Sequence, residues 1–385
     1  MDKLSGRNYE IEWLRFIFSI MIVLNHTKSF SADSVFPVVG CSFGVEFFFL
    51  TSGYLMAEHV MKNSFQKNIH SKGETTPLSI TSYGSDTAVF LFQKIKKLYL
   101  EFFIAEIIGY SFAFIAREMT LKGIIKVLLN SFSEVLLISM FGFKKMGGWN
   151  GATWYISSML IVMAFLYPIL VRWRQKALQF IFPLISLLVL GYLCVALGSP
   201  RDPTKWLGWI YKGNLRALGE ICLGAYTWNL VQWFRAQSWN FVGRTILAFI
   251  KSSCYISVMC YVFIYNKGSK FDYAFLLILC LGVALTFSQC TIEILLYEKG
   301  KHIFSFLGKY SLCLYLTHFP FSTNLDYVWP ADWSILKKMM VYLIICSIAA
   351  LMVLKISALI RKKIEPIKNI LCLVFISKKK DSIKY

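Results

Sequence analysis

The sequence predicts an all-α, polytopic integral membrane protein with about ten transmembrane helices and both termini in the cytoplasm. Three observations carry that prediction. Of 385 residues, 57% are hydrophobic and only 16% are charged, far from the balance of a soluble domain. Apolar stretches of roughly 20 residues, enough to cross a hydrocarbon core of about 30 Å, recur from end to end and leave no room for a sizeable soluble domain. Lys and Arg, which give a net charge of +20, gather in the short loops and the C-terminal tail, where membrane topology places them. The positive balance is therefore assigned to topology and not to nucleic acid.

The first apolar segment, 11–27, follows a mixed-charge N-terminus and has no small-residue cleavage site after it, so it reads as a retained helix. It holds Arg15 and His26, whose cost inside hydrocarbon marks them as functional candidates. Their spacing is about three helical turns, which puts both on one face with Arg15 toward one end and His26 toward the other. The second segment, 41–60, carries Glu46 and the pair Ser52 and Gly53, and a polar stretch rich in Ser, Thr, Gly and Lys at 61–87 is expected to be a loop. The third begins near Val89 and passes Lys94, Lys96, Lys97, Tyr99 and Glu101 before Arg117. Lys126, Asn130, Ser131, Ser133 and Glu134 interrupt 123–141, so an interfacial or re-entrant helix is expected there.

A turn containing Gly147, Gly148 and Gly151 precedes the fourth segment, which opens at Trp154 and Tyr155 and is followed by Arg172, Arg174 and Lys176. The fifth covers 178–197. A loop with Pro200, Arg201, Pro203, Lys205 and Lys212 leads to the sixth, where Arg216 and Glu220 stand one turn apart as possible ion-pair partners. The seventh and eighth run over 244–265 and 272–290, the ninth closes on Tyr315, His318 and Pro320, and the tenth covers 335–357. The chain divides into a transmembrane domain, 1–360, and a basic cytoplasmic tail, 361–385, whose apolar piece 370–376 is too short to span.

With ten spans, the basic loops after the second and fourth segments and the tail share one face, which the positive-inside rule makes cytoplasmic. His26, Glu46, Trp154, Tyr155, Arg216, Tyr315 and His318 then converge at an outer level, while Lys94, Lys97 and Arg15 face inward. Glu46 is expected within reach of His26, where a carboxylate would orient an imidazole acting as general base. Structural readings compete: Glu46 can pair with a helix charge, Lys94 and Lys97 can be cytoplasmic anchors, Ser52 and Gly53 a close-packing point, Trp154 and Tyr155 aromatic-belt residues, and His318 an interfacial histidine. The ten Cys lie mostly in apolar stretches without a C-x-x-C pair or metal-ligand spacing, so no metal is expected.

These residues resemble the membrane-embedded acyltransferase family 3, whose members acylate sugars and other acceptors outside the bacterial cytoplasmic membrane. The likeness rests on Arg15 and His26, on Glu46, Phe47, Phe48, Ser52 and Gly53, on Arg216 and Gly224, and on Tyr315, His318 and Pro320. Lys94 and Lys97 stand where the family normally has arginines, keeping charge but losing the planar fork. The resemblance implies an acyl donor, usually acetyl-CoA, held by Lys94, Lys97, Arg15 and Ser52. It implies catalysis by His26 with Glu46 and Arg15, and an extracytoplasmic glycan acceptor near Trp154, Tyr155, Arg216, Tyr315 and His318. Direct transfer and an acyl-histidine intermediate both fit. A transporter of a glycan or lipid intermediate is the competing class, although the chain has no second copy of the Arg15 to Ser52 pattern.

Overall fold

The computed structural model describes residues 7–30, 39–70, 80–142, 149–265, 268–330 and 332–381. Asn8 caps α1 (Tyr9–Asn25) by accepting a hydrogen bond from the Ile11 amide, and a 3-10 turn, His26–Phe30, follows. His26 thus sits just past the α-helix instead of within it. A second 3-10 turn, Val39–Phe43, leads into α2 (Gly44–His70), and α3 spans Ile80–Ala116. Of the expected loop at 61–87, residues 61–70 and 80–87 are helix, because α2 and α3 both continue beyond their apolar cores, and 71–79 lie outside the described residues.

Between α3 and the next long helix lie α4 (Leu121–Asn130) and α5 (Phe132–Val135). Ten residues of helix rise only about 15 Å, so α4 cannot cross a bilayer, and its Leu121, Ile125, Leu128 and Leu129 are exposed along one face. Gly147 and Gly148 of the expected turn lie outside the described residues, whereas Gly151 begins a 3-10 turn that leads into α6 (Trp154–Trp173). A π-helical turn, Ala177–Ile181, precedes α7 (Phe182–Leu197). The remaining elements are α8 (Lys212–Ala236), α9 (Phe241–Ile264), α10 (Phe271–Ser288), α11 (Ile294–Lys299), α12 (Lys301–Asn324) and α13 (Ile335–Asp381). Helix α13 passes without a break through the expected boundary at 360. Among the described residues the only β feature is an isolated bridge between Trp206 and Tyr211.

Six helical segments, those of α3, α6, α7, α9, α10 and α13, are long and apolar enough to cross a membrane by length and composition alone. The other four long helices, α1, α2, α8 and α12, are shorter or more polar, and they carry Arg15, Glu46, Ser52, Arg216, Glu220, Tyr315 and His318. Polar helices of this kind are stable in a membrane protein when they pack on one another and turn their polar groups inward. Small residues allow that packing. A Cβ on Gly53 would run into the α8 backbone at Ile221 and Ala225, and one on Gly224 would run into the α2 backbone at Leu50. The two glycines let α2 and α8 touch backbone to backbone. Likewise Gly308 of α12 leaves room for the Glu12 carboxylate of α1.

Candidate functional site

A cavity of about 610 Å³ opens at the end of the bundle where α1, α3 and α12 begin and α2, α8 and α10 end. Its mouth is basic: Arg7, Arg15, Lys62, Lys94, Lys97, Arg235 and Lys309 line it against only Glu12 and Glu58. Local pairing uses part of that charge, with Arg7 and Arg15 on Glu12 at 2.7 and 3.4 Å and Lys62 on Glu58 at 2.9 Å. Lys94, Lys97 and Lys309 have no carboxylate in ion-pair range among the described residues. Lys94 instead lies 5.2 Å from the centre of the Phe90 ring. Lys94 and Lys97, one helical turn apart, also border a second cavity of about 370 Å³ with His59, Phe90 and Gln93.

Inward, the walls turn apolar and aromatic, and the deep part reaches Ser52, Tyr155 and Tyr315. Ser52 Oγ lies 3.2 Å from the Tyr155 hydroxyl, and the rings of Tyr155 and Tyr315 meet edge to face at 6.0 Å. The Tyr315 hydroxyl donates to the carbonyl of Ala152. One turn further along α12 stands His318, fully buried, with its ring 5.0 Å from that of the partly exposed His26. Phe319 closes edge-on against His26 at 4.9 Å.

A second polar region is buried. Arg216 is 2% exposed and lies between Glu46 of α2 at 2.5 Å and Glu220 of its own helix at 3.1 Å, with the Trp154 ring 5.6 Å from its guanidinium. Glu46 therefore pairs with Arg216 where the sequence expectation set it to orient His26, and no hydrogen bond links the Glu46 carboxylate to the imidazole. Trp154 and Arg216, expected to face the acceptor, are likewise buried in the α2, α6 and α8 contact, while the ion pair foreseen between Arg216 and Glu220 is present.

A third network was not foreseen. Asn150 donates from its side chain to Glu106 at 2.7 Å and to the Leu316 carbonyl at 2.8 Å, and its amide donates to Glu134 at 2.9 Å. Tyr110 donates to the other Glu134 oxygen at 2.5 Å. Burial pushes the Glu134 carboxyl above the usual carboxylate range. The segment before α6 is thereby clamped to α3 and to α12 beside Tyr315. An acid inside the apolar run F-F-I-A-E-I-I-G at Glu106 was the available signal.

The structure thus gathers Arg15, Lys94, Lys97, Ser52, Tyr155 and Tyr315 around one cavity, sets His26 and His318 together beyond its deep end, and places Glu46, Trp154 and Arg216 elsewhere. Lys62, Arg235 and Lys309 join the cavity without having been singled out. Compared with known proteins, residues 8–359 match the model of a family described as an acyltransferase domain. No curated protein and no solved structure matches the chain.

Proposed function

The chain belongs to the acyltransferase 3 family and is a membrane acyltransferase for groups other than amino-acyl groups, and from that premise we propose that it moves an acetyl group from cytoplasmic acetyl-CoA to a hydroxyl of an extracytoplasmic sugar or polysaccharide at the bacterial cell membrane. The observation that carries this reading is the polarity of the cavity, basic at its mouth and apolar and aromatic at its depth. Such a gradient suits coenzyme A, whose phosphates are anionic and whose pantetheine arm is slender and long. Lys94 and Lys97 hold the phosphates as point charges, aided by Arg15. The thioester is directed toward Ser52 and Tyr155, whose hydroxyls can hydrogen-bond its carbonyl oxygen.

The basic mouth faces the cytoplasm, as the positive-inside rule predicts for the loops and tail at that end. His26 lies at the opposite end of α1 and is partly exposed, so an acceptor hydroxyl can reach it from outside. His26 takes the proton of that hydroxyl as its oxygen attacks the thioester carbon. The carbon–sulfur bond then breaks, the proton passes to the sulfur, and free coenzyme A returns to the cytoplasm. Tyr315 and His318 border the acceptor side of this step.

Transfer of radiolabelled acetyl from acetyl-CoA to surface glycan in membrane vesicles tests the proposal. Label should appear with the wild type, fall about 10²- to 10⁴-fold with His26→Ala, and weaken with Lys94→Ala and Lys97→Ala. Equal background in all forms at equal membrane levels would refute acetyl transfer.

A further inference from the structure

His318 has one ring edge committed and one unanswered. Its Nδ1 lies 2.6 Å from the carbonyl oxygen of Tyr315, one turn back on the same helix. A carbonyl oxygen only accepts, so Nδ1 carries the hydrogen, and the neutral ring holds its lone pair on Nε2. That nitrogen is buried and has no hydrogen-bond partner among the described residues. The His318 ring has three ring neighbours among the described residues, measured centre to centre: His26 at 5.0 Å, Tyr315 at 5.6 Å and Phe319 at 6.4 Å. The Tyr315 hydroxyl is spent on Ala152 and Phe319 has no polar hydrogen. Of these rings, His26 is the one able to offer an N–H. A brace fixes the two histidines relative to each other, because the hydroxyl of Tyr342 on α13 lies 3.4 Å from both the Val23 carbonyl, near the end of α1, and the His318 carbonyl.

We propose that His318 is the positioning residue for His26, accepting on Nε2 the hydrogen bond that the His26 imidazolium offers once it has taken the acceptor proton. This rests on the acyl-transfer reading above. An imidazole from α12 thereby fills the place expected for Glu46, whose carboxylate is held by Arg216. Proton balance is kept within the reaction: the hydroxyl proton moves to His26, the oxygen–carbonyl bond forms, the carbon–sulfur bond breaks, and the same proton goes to the departing sulfur. His318 gains and loses no proton. Its effect is to stabilise the charged ring and fix its orientation, and it acts only while that charge exists.

The test uses the full-length protein in vesicles bearing the surface glycan, with labelled acetyl-CoA as the probe. In His318→Asn the carboxamide nitrogen can still reach the Tyr315 carbonyl, but no acceptor stands at the Nε2 position. In His318→Gln a carboxamide oxygen extends to about that position. Transfer by His318→Asn should fall roughly 10- to 100-fold at saturating acetyl-CoA, with half-saturation unchanged and part of the rate regained in His318→Gln. In a His26→Gln background the same His318→Asn change should cost nothing further, since both act through one ring. A rate within twofold of wild type, or losses that multiply in the double variant, would overturn the inference while leaving the acyl-transfer reading standing. If His318→Asn does not accumulate, His318→Gln carries both comparisons, and a loss that multiplies there overturns the inference equally. Absence of any His26-dependent transfer in the wild type would remove the reading and the inference together.

Discussion

The basic cavity and the Arg216 cluster are both built from charged residues on α2 and α8, helices too polar to pass as simple membrane spans, and the cavity adds Lys94 and Lys97 from α3, which is apolar enough to span. They differ in whether the protein answers its own charge. Around Arg216, two carboxylates from two helices stand within 3.1 Å and an aromatic ring covers the third side. At the cavity mouth, Lys94, Lys97 and Lys309 face a volume of about 610 Å³ with no carboxylate of their own among the described residues. A charge in a membrane helix marks importance in both cases. Full internal pairing marks a charge that holds helices together, whereas a charge left wholly or partly unanswered, as Arg15 is at 3.4 Å from Glu12, can hold a ligand.

Removing the internal partner should have the largest effect. Arg216→Ala leaves Glu46 and Glu220 buried without a counter-charge, and breaking a buried pair this way costs about 3–5 kcal/mol. Thermal unfolding in detergent should show severe destabilisation and low accumulation, with Arg216→Lys intermediate because it keeps the charge and loses the fork. Unchanged unfolding combined with a selective loss of acceptor binding would erase the distinction between the two regions and return Arg216 to the site.

The opposite behaviour is expected at the cavity. Lys94→Ala and Lys97→Ala remove cations that pair with no carboxylate among the described residues, so unfolding should move by no more than about 0.5 kcal/mol. Charge-assisted bonds to a phosphate contribute about 1.5–3 kcal/mol each, which corresponds to a rise of roughly ten- to a hundredfold in half-saturating acetyl-CoA. Lys96→Ala is the control, because Lys96 is exposed and does not border either cavity. Equal effects at all three lysines would show general electrostatic attraction in place of a built site.

Much of this contrast was legible in the sequence, and the failure at Glu46 has a geometric cause. Depth along a helix follows from residue number, and Arg15, Lys94 and Lys97 fall where depth alone puts them. Azimuth also follows, but only relative to other residues on the same helix. Glu46 and Gly53 are seven residues apart, about two turns, and share a face. Ser52 lies about 600 degrees from Glu46, well round the helix. Since Gly53 is the point where α8 approaches and Ser52 borders the cavity, Glu46 had to face Arg216 on α8. The sequence does not say which neighbour each face meets, so a depth shared with His26 does not establish contact. The polar ends of α2 and α3 were missed for a different reason: a helix extending beyond its apolar core shows no apolar stripe to betray its period. Glu106 and Asn150 escaped because their network joins positions 44 residues apart through one amide.

The glycine crossing offers a finer test. Gly53→Ala places a methyl group against the α8 backbone at Ile221, and overpacking of this kind costs typically about 1–3 kcal/mol. Because α2 carries Ser52 on one side and Glu46 on another, forcing α2 from α8 should loosen the buried Arg216 cluster and displace the cavity wall together. Thermal stability and half-saturating acetyl-CoA should therefore change in the same variant, unlike either single-region change above. A loss of stability with unaltered donor affinity would mean that the two regions are mechanically independent.

The smallest effect should come from Tyr155→Phe, and its sign is informative. The Tyr155 hydroxyl is buried and lies 3.2 Å from Ser52 Oγ. If that bond is purely structural, its removal costs about 0.5–1.5 kcal/mol of stability and leaves transfer intact, as at Arg216 on a reduced scale. If the two hydroxyls instead hydrogen-bond the thioester oxygen as it gains charge, stability should hardly change while the rate at saturating acetyl-CoA falls about tenfold. The second outcome is expected, since both groups border the cavity and Ser52 also lies 3.4 Å from Met159 Sδ, a weak acceptor that can take up the serine hydrogen once Tyr155 is gone. Ser52→Ala should then lower the rate similarly, and the double variant should fall short of the product of the two losses because both hydroxyls serve one oxygen.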